Sequence, residues 1–211
     1  EHPALRTQSI DLMRGESQAA SQMMLAPTAE AEAAWIGGLH VVARLRACTA
    51  SSAPSAVLAC GLYAVTGGLG GLGMRAATLL VEGGASGVLL ASRSGYVARD
   101  GQGLEEQLQS MSTAAAVVAG DSANAYDASA LFSANSLAGV LHAAGAGDKG
   151  LLIELVAQRV QWMYAPKAMA AIYLQHAVAT TALETRVLFS SVGSGLGNVG
   201  QVNYAAGNAC L

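Results

Sequence analysis

From residue 57 onward one pattern repeats: a short, continuous apolar run, a turn of small or polar residues, then a stretch with helical composition. The runs are Leu62 to Thr66, Val88 to Ala91, Ala114 to Ala119, Leu137 to His142 and Arg186 to Phe189. Between them Met74 to Val81, Gly103 to Met111 and Ala128 to Phe132 read as helices, and a long helical tract covers roughly residues 151–179, interrupted near Pro166. Gly193 to Gly200 reads as a loop, and Tyr204 opens the last helix. Strands that are apolar without alternation are buried on both faces, as in a parallel sheet, and strand–helix alternation builds such a sheet. The expected fold class is α/β, a Rossmann-type doubly wound parallel sheet. Upstream the pattern is weaker. Glu30 to Ala34 has helical composition, and Gly37 to Arg46 reads as a turn feeding an alternating strand with Arg44 and Arg46 on one solvated face. Thr49 to Ser55, rich in Ser, Ala and Pro, reads as a linker. The expected division is residues 1–56 and 57–211.

Composition narrows the partners. Of 211 residues, 53 % are apolar, 12 % charged and 5 % aromatic, so a core of small side chains with helices close to the sheet is expected. A net charge of −3, with no local Lys/Arg cluster, argues against nucleic acid. No apolar run is long enough to span a bilayer and no signal-peptide pattern opens the chain. Cys48, Cys60 and Cys210 form no CxxC pair and read as small buried hydrophobes rather than zinc ligands or disulfides, so no metal is expected and a reducing, cytoplasmic compartment is. Glu1 is not an initiator Met and Leu211 falls inside a helical stretch, so the sequence reads as a segment of something longer.

The chemistry begins where the first run of this repeat ends. Thr66-Gly67-Gly68-Leu69-Gly70-Gly71-Leu72-Gly73 carries five glycines in seven residues between a strand and a helix. Glycines there permit a tight turn, close approach of a pyrophosphate to the backbone, and close packing of helix on strand. The helix N-terminus then presents free N–H groups to phosphate. A glycine turn without a ligand is the plainer alternative. Ser92-Arg93-Ser94 ends the next strand, where an NAD site would place an acid; Arg93 instead suits a 2′-phosphate, unless it is an ordinary surface arginine. Asp121, after the third strand, is placed to accept from an adenine amino group or simply to start a helix. Ala143-Ala144-Gly145 follows the fourth strand as small backbone closing over a cofactor, and His142 reads as a packed strand-end residue.

Reduction of a ketone by hydride needs a proton donor for its oxygen. A phenol serves, and with an ordinary pKa of about 10 it gains from a nearby ammonium. A serine hydroxyl adds a second hydrogen bond to the developing charge. Tyr204 and Asn208, four apart, share a helical face, and Ser191 ends the strand before them.

With these motifs the chain resembles the ketoreductase domain of type I modular polyketide synthases and of animal-type fatty acid synthase, within the short-chain dehydrogenase/reductase superfamily. The likeness covers about residues 60–211. It lies in Tyr63 to Gly73, Ser92-Arg93-Ser94-Gly95, His142-Ala143-Ala144-Gly145, Phe189-Ser190-Ser191-Val192 and Gly200 to Asn208. Ser191 stands 24 residues beyond Lys167, Tyr204 13 beyond Ser191 and Asn208 four beyond Tyr204, which is the family's spacing. The stretch Trp35 to Arg46 is similar to the end of the family's structural subdomain. The resemblance implies NADPH as cofactor, a β-ketoacyl thioester on an acyl carrier protein domain as substrate, and other synthase domains in the same chain. It implies that Tyr204 protonates the carbonyl oxygen, that Ser191 hydrogen-bonds it, and that Lys167 with Asn208 orients the site and favours the phenolate. Two departures stand out. Gly147-Asp148-Lys149 occupies the place of the Leu-Asp-Asp that marks one stereochemical class, and Leu196 stands where the opposite class has Trp. A degenerate first class is the mildly preferred reading. The rival readings are a free-standing short-chain dehydrogenase acting on a small ketone, and a cofactor-binding scaffold that does not reduce.

Overall fold

The computed structural model describes residues 9–12, 32–36, 39–42, 44, 46–47, 60–97, 102–111, 113–133 and 136–211. It separates into two compact units, Glu1–Ser55 and Ala56–Leu211. The proposed linker from Thr49 to Ser55 lies outside the described residues, as does Cys48.

In the first unit, β1 (Ser9–Leu12) runs parallel to β2 (Glu32–Ile36), which pairs antiparallel with β3 (Leu39–Val41). The helical reading of Glu30 to Ala34 therefore fails over Glu32 to Ala34, which belong to β2, while Glu30 and Ala31 lie outside the described residues. Its Glu and Ala content favours helix only weakly, and a helix this short does not sustain itself. Pairing on both sides decides instead, with Ala34 opposite both Asp11 and Val41. Strand β3 stops at Val41, so Arg44 and Arg46, both exposed, lie beyond it rather than on its face.

In the second unit five parallel strands lie in the order β6-β5-β4-β7-β8. They are β4 (Leu62–Thr66), β5 (Gly87–Ser92), β6 (Ala115–Ala119), β7 (Leu137–His142) and β8 (Thr185–Leu188). The helices are α1 (Gly71–Glu82), α2 (Leu104–Ser110), α3 (Ala125–Ser133), α4 (Ala157–Tyr164), α5 (Ala170–Ala177), α6 (Gly193–Leu196) and α7 (Val202–Ala209). Alternate residues of a strand face opposite sides, and the core divides accordingly. Tyr63, Val65, Val88 and Leu90 pack with Met74, Ala77 and Leu80 of α1 and Leu104 of α2. Ala64, Leu89, Ala91 and Val140 pack on the other side with Ala128, Leu131 and Phe132 of α3 and Leu174 of α5. Each large apolar side chain so removed from water contributes about 1.5–3 kcal/mol. The central strands β4, β5 and β7 are therefore covered on both faces, as their apolar runs require, whereas the edge strands β6 and β8 are half-buried to exposed despite theirs. The strand order reverses between β4 and β7. Crevices at such switch points are where ligands of open α/β sheets bind.

Five local differences from the sequence reading matter. The long helical tract starts late, with one 3₁₀ turn at Leu152–Glu154 and an extended Val156 before α4. Pro166 does not break it: a π-helical turn, Ala165–Met169, joins α4 to α5. The wider turn accommodates a residue that lacks an N–H, and such turns cluster at functional sites. It brings Lys167 and Ala168 into the interior. Within the expected loop from Gly193 to Gly200, Gly193–Leu196 is helical, started by Ser191, whose Oγ accepts from Gly193 N at 3.1 Å. Finally, α7 opens at Val202, two residues before Tyr204, and Cys60 and Cys210 are exposed rather than buried.

Candidate active site

The carboxyl ends of the strands are stitched to one another and to the turns that follow. Gly68 N donates to Ala91 O, Ala143 N to Thr66 O, Gly120 N to Ser92 O and Phe189 N to His142 O, at 3.0–3.1 Å. The glycine turn is held by necessity. Gly67 has φ +66°, and a Cβ on it would lie 2.7 Å from the backbone of Ala144; a Cβ on Gly73 would overlap Gly67 O. Beyond the turn, α1 starts at an extended Gly70 with no side-chain cap and no acid in its first turn. Its leading N–H groups and positive end lack a local anion.

Above this edge lies a cavity of about 550 Å³. It is lined by Thr66, Gly67, Leu69 and Gly70 of the first turn, Ser92, Arg93 and Ser94 after β5, Asp121 after β6, and Ala143, Ala144 and Gly145 after β7. Of the expected cofactor residues, Gly68, Gly71, Leu72 and Gly73 do not line it. Gly68 and Gly73 serve packing instead, since a Cβ on Gly68 would lie 2.9 Å from Leu90. Tyr96, Ser122 and Pro166 line the cavity without having been expected there. Ser122 sits one residue past Asp121, within reach of the strand-end argument; nothing in the sequence points to Tyr96. Asp121 does not start α3. Its Oδ1 accepts from Ala123 N at 2.9 Å, while Asn124 Oδ1 accepts from Tyr126 N at the helix start, also at 2.9 Å.

His142 is fully buried behind the cavity. Its Nε2 lies 3.3 Å from Lys167 O and its Nδ1 lies 2.6 Å from Thr66 Oγ1. A carbonyl only accepts, so Nε2 carries the proton, and Nδ1 of the neutral ring accepts from the threonine hydroxyl. The ring thus joins the glycine turn to the π turn. Burial lowers its pKa from 6.5 to about 4, with the nearby Lys167 charge lowering it further against the raising effect of its backbone hydrogen bonds. A base whose folded pKa is depressed binds fewer protons folded than unfolded between those two values. Stability therefore falls as pH drops from 6.5 towards 4, by about 3 kcal/mol in all. Urea unfolding at pH 7 and pH 4 should show that loss in the wild-type chain and not in His142→Gln. An equal acid loss in both would contradict the account.

Lys167 is 6 % exposed, and burial lowers its pKa from the ordinary lysine value. Its Nζ donates to Phe189 O at 2.7 Å, and a Cβ on Gly145 would meet its Cε at 2.8 Å, so it backs the cavity wall. Ser190 Oγ donates to Asn208 O at 2.8 Å, tying the end of β8 to α7. Asn208 Nδ2 donates to Tyr204 O at 2.9 Å, and its Oδ1 is buried with no hydrogen-bond partner among the described residues. Lys167, Ser191 and Asn208 are thus each tied to the segment that leaves β8, and Tyr204, half-buried, stands one turn before Asn208 on α7. The Ser191 oxygen accepts from Gly193 N, which leaves its own proton to donate.

A parallel sheet with a glycine turn, an uncapped helix and a cavity at its switch point defines a Rossmann-type nucleotide-binding domain. Residues 61–211 match the family model described as KR domain. The chain belongs to this family, the ketoreductase domains of polyketide synthases. It is 39 % identical over 155 residues to polyketide synthase GfsA of Streptomyces halstedii, covering 72 % of this chain and 2 % of that protein. It is 34 % identical over 229 residues to a phenolphthiocerol/phthiocerol polyketide synthase protein of Mycobacterium tuberculosis, covering 100 % of this chain and 12 % of that one. Among solved structures it superposes on an A-type ketoreductase from a modular polyketide synthase with a TM-score of 0.82 at 30 % identity, covering 96 % of this chain and 46 % of that one. A C2-type ketoreductase gives a TM-score of 0.80 at 30 % identity, covering 100 % and 47 %. The chain therefore spans a small part of these curated relatives and under half of these solved chains. Among the described residues no helix is long and apolar enough to cross a membrane.

Proposed function

We propose that this chain carries the nucleotide-binding and catalytic part of an NADPH-dependent reductase acting on a β-ketoacyl thioester held by an acyl carrier protein domain of the same cytoplasmic synthase. The observation that supports this most is the cavity itself. Its floor is the glycine turn, its rim carries Arg93 and its wall is backed by Lys167. The residues fit the dinucleotide. The uncapped N-terminus of α1 and the backbone of Gly67 and Gly70 face phosphate, while Arg93 and Ser94 offer donors to a 2′-phosphate. Asp121 and Ser122 would hold the adenine end, and Ala143 to Gly145, without bulk, would admit the nicotinamide half.

NADPH held by these residues would supply a hydride for the β-carbonyl carbon. Tyr204 donates its proton to the carbonyl oxygen as the C=O π bond breaks, giving the alcohol and leaving a phenolate that regains a proton from solvent. Ser191 donates a hydrogen bond to the same oxygen while charge develops there. Lys167, held by Phe189 O, would supply the positive charge that favours the phenolate. Asn208 Oδ1, unpaired and buried, is an acceptor for that ammonium or for water between them.

The test is NADPH oxidation with a simple β-ketoacyl thioester by the full chain that contains this segment. Turnover with formation of the β-hydroxyacyl product is the expected result. Cofactor binding without turnover would favour the scaffold reading. In the same assay Arg93→Ala should reduce the preference for NADPH over NADH by about tenfold to a hundredfold, the scale of one charge-assisted phosphate contact. An unchanged preference would remove Arg93 from the cofactor assignment.

A further inference from the structure

We infer that Asp148, Arg159 and Asn203 form a clamp that fixes the first turn of α7, and so places Tyr204, rather than a surface that meets substrate. The inference rests on the reading of Tyr204 as the proton donor. Asp148 is the surviving acid of the degenerate Leu-Asp-Asp segment, and both its oxygens are engaged inside the protein. Oδ1 accepts from Arg159 Nη2 at 2.5 Å, and Oδ2 accepts from Asn203 Nδ2 at 3.0 Å. Asn203 Nδ2 also donates to Arg159 O at 3.1 Å, and Arg159 Nη2 to Lys149 O at 3.2 Å. Two side chains of widely separated segments therefore close on one carboxylate, joining the loop after β7, the first turn of α4 and the first turn of α7.

The setting is not that of a surface ion pair. The side chains of Asp148 and Arg159 are 11 % and 32 % exposed, and Asn203 is 5 % exposed. The hydrogen bonds from Arg159 and then from Asn203 hold the Asp148 carboxyl below the usual carboxylate range. The loop is shaped to the guanidinium, since a Cβ on Gly150 would lie 2.7 Å from Arg159 Nη2. A second tie runs alongside, Gly150 N donating to Gly200 O at 2.8 Å.

Helix α7 needs this support. It has eight residues, its N-cap Gln201 makes no side-chain cap, and no acid stands in its first turn. A helix that short is marginal on its own. Asn203 is its first buried side chain and immediately precedes Tyr204. Rotation of α7 about its axis would move Asn203 off Asp148 and swing the phenol with it. Displacement of a reacting group by about an ångström can cost on the order of a hundredfold in rate. Asp148, Arg159 and Asn203 are thus positioning residues, and Asp148 acts through α7.

The test compares Asp148→Asn, Asn203→Ala and D148N/N203A in the full chain, with Arg159→Lys as a milder variant. Asp148→Asn should lower kcat by about tenfold to a hundredfold while the Kd for NADPH, read by nicotinamide fluorescence, stays within twofold. The double variant should be no slower than the slower single variant, because both changes open one clamp. Arg159→Lys, which keeps the charge and gives up part of the fork, should fall between. Independently of turnover, amide exchange across residues 202–209 should quicken at least tenfold in Asp148→Asn while exchange across 71–82 is unchanged. That readout decides the clamp even if the wild-type chain reduces nothing, in which case the reductase proposal alone fails. Unchanged exchange in α7, or a loss of NADPH affinity that matches the loss of kcat, would overturn the inference.

Discussion

Tyr204→Phe should abolish ketone reduction, with kcat lowered by about a thousandfold or more and the Kd for NADPH within twofold of wild type. The ring stays, so the half-buried packing of α7 is retained; only the hydroxyl is lost. General acid catalysis is worth roughly 10²–10⁴-fold, and no neighbour replaces the proton. The Ser191 hydroxyl can still donate a hydrogen bond, but it accepts from Gly193 N and, among the described residues, hydrogen-bonds to no base that could restore a proton. Steady-state NADPH oxidation together with fluorescence titration checks this. A variant that keeps more than a tenth of the wild-type rate would take the proton-donor role away from Tyr204.

Lys167→Met should lower kcat by about a hundredfold and change the pH dependence of what remains. The methionine fills the space behind Gly145 but cannot donate to Phe189 O, now bonded at 2.7 Å. It also removes the positive charge held inside this wall by the π turn. Burial lowers the Lys167 pKa from its usual 10.5, because the charged form is the one disfavoured away from water. The sign follows. As pH rises, the wild-type site loses this charge below 10.5, so the alkaline limb of kcat should begin below that value, and Lys167→Met should lack it. Profiles of kcat between pH 6 and 10 decide the matter. An alkaline limb identical in both proteins would assign it to another group.

The parts of the fold that can be read from sequence are those where one residue type has no substitute. The turn from Thr66 to Gly73 is legible because Gly67 takes a positive φ and a Cβ on Gly73 would overlap the carbonyl of Gly67. The strands β4, β5 and β7 are legible because their apolar runs do not alternate and are buried on both faces, while β6 and β8 show as apolar runs whose exposure at the sheet edges the sequence does not reveal. What escapes depends on distant partners. Glu32–Ile36 is a strand because β1 and β3 flank it, which its own Glu and Ala do not announce. The π turn at Ala165–Met169 shows in the sequence only as a proline in a helix; that it sinks Lys167 into the interior is not visible there. Cys60 and Cys210 are misplaced by a general tendency of cysteine to be buried, which their local positions override. The partners of Asp148 lie 11 and 55 residues away, a distance no local periodicity spans. Within the site, residue types propose Ser191, Tyr204 and Asn208, and the resemblance to ketoreductase domains adds Lys167 through that family's spacing. The geometry adds that Lys167 is held by Phe189 O and that Asn208 Nδ2 bonds back to the Tyr204 carbonyl.

The central claim is that hydride passes from a nicotinamide in this cavity to the β-carbon of an acyl thioester. The full chain, given NADPH deuterated on both C4 positions and a β-ketoacyl thioester, tests it by mass spectrometry of the product. The account predicts a β-hydroxyacyl thioester carrying one deuterium on the hydroxyl-bearing carbon. A recovered ketone with the cofactor unoxidised, or an alcohol without deuterium, would contradict it.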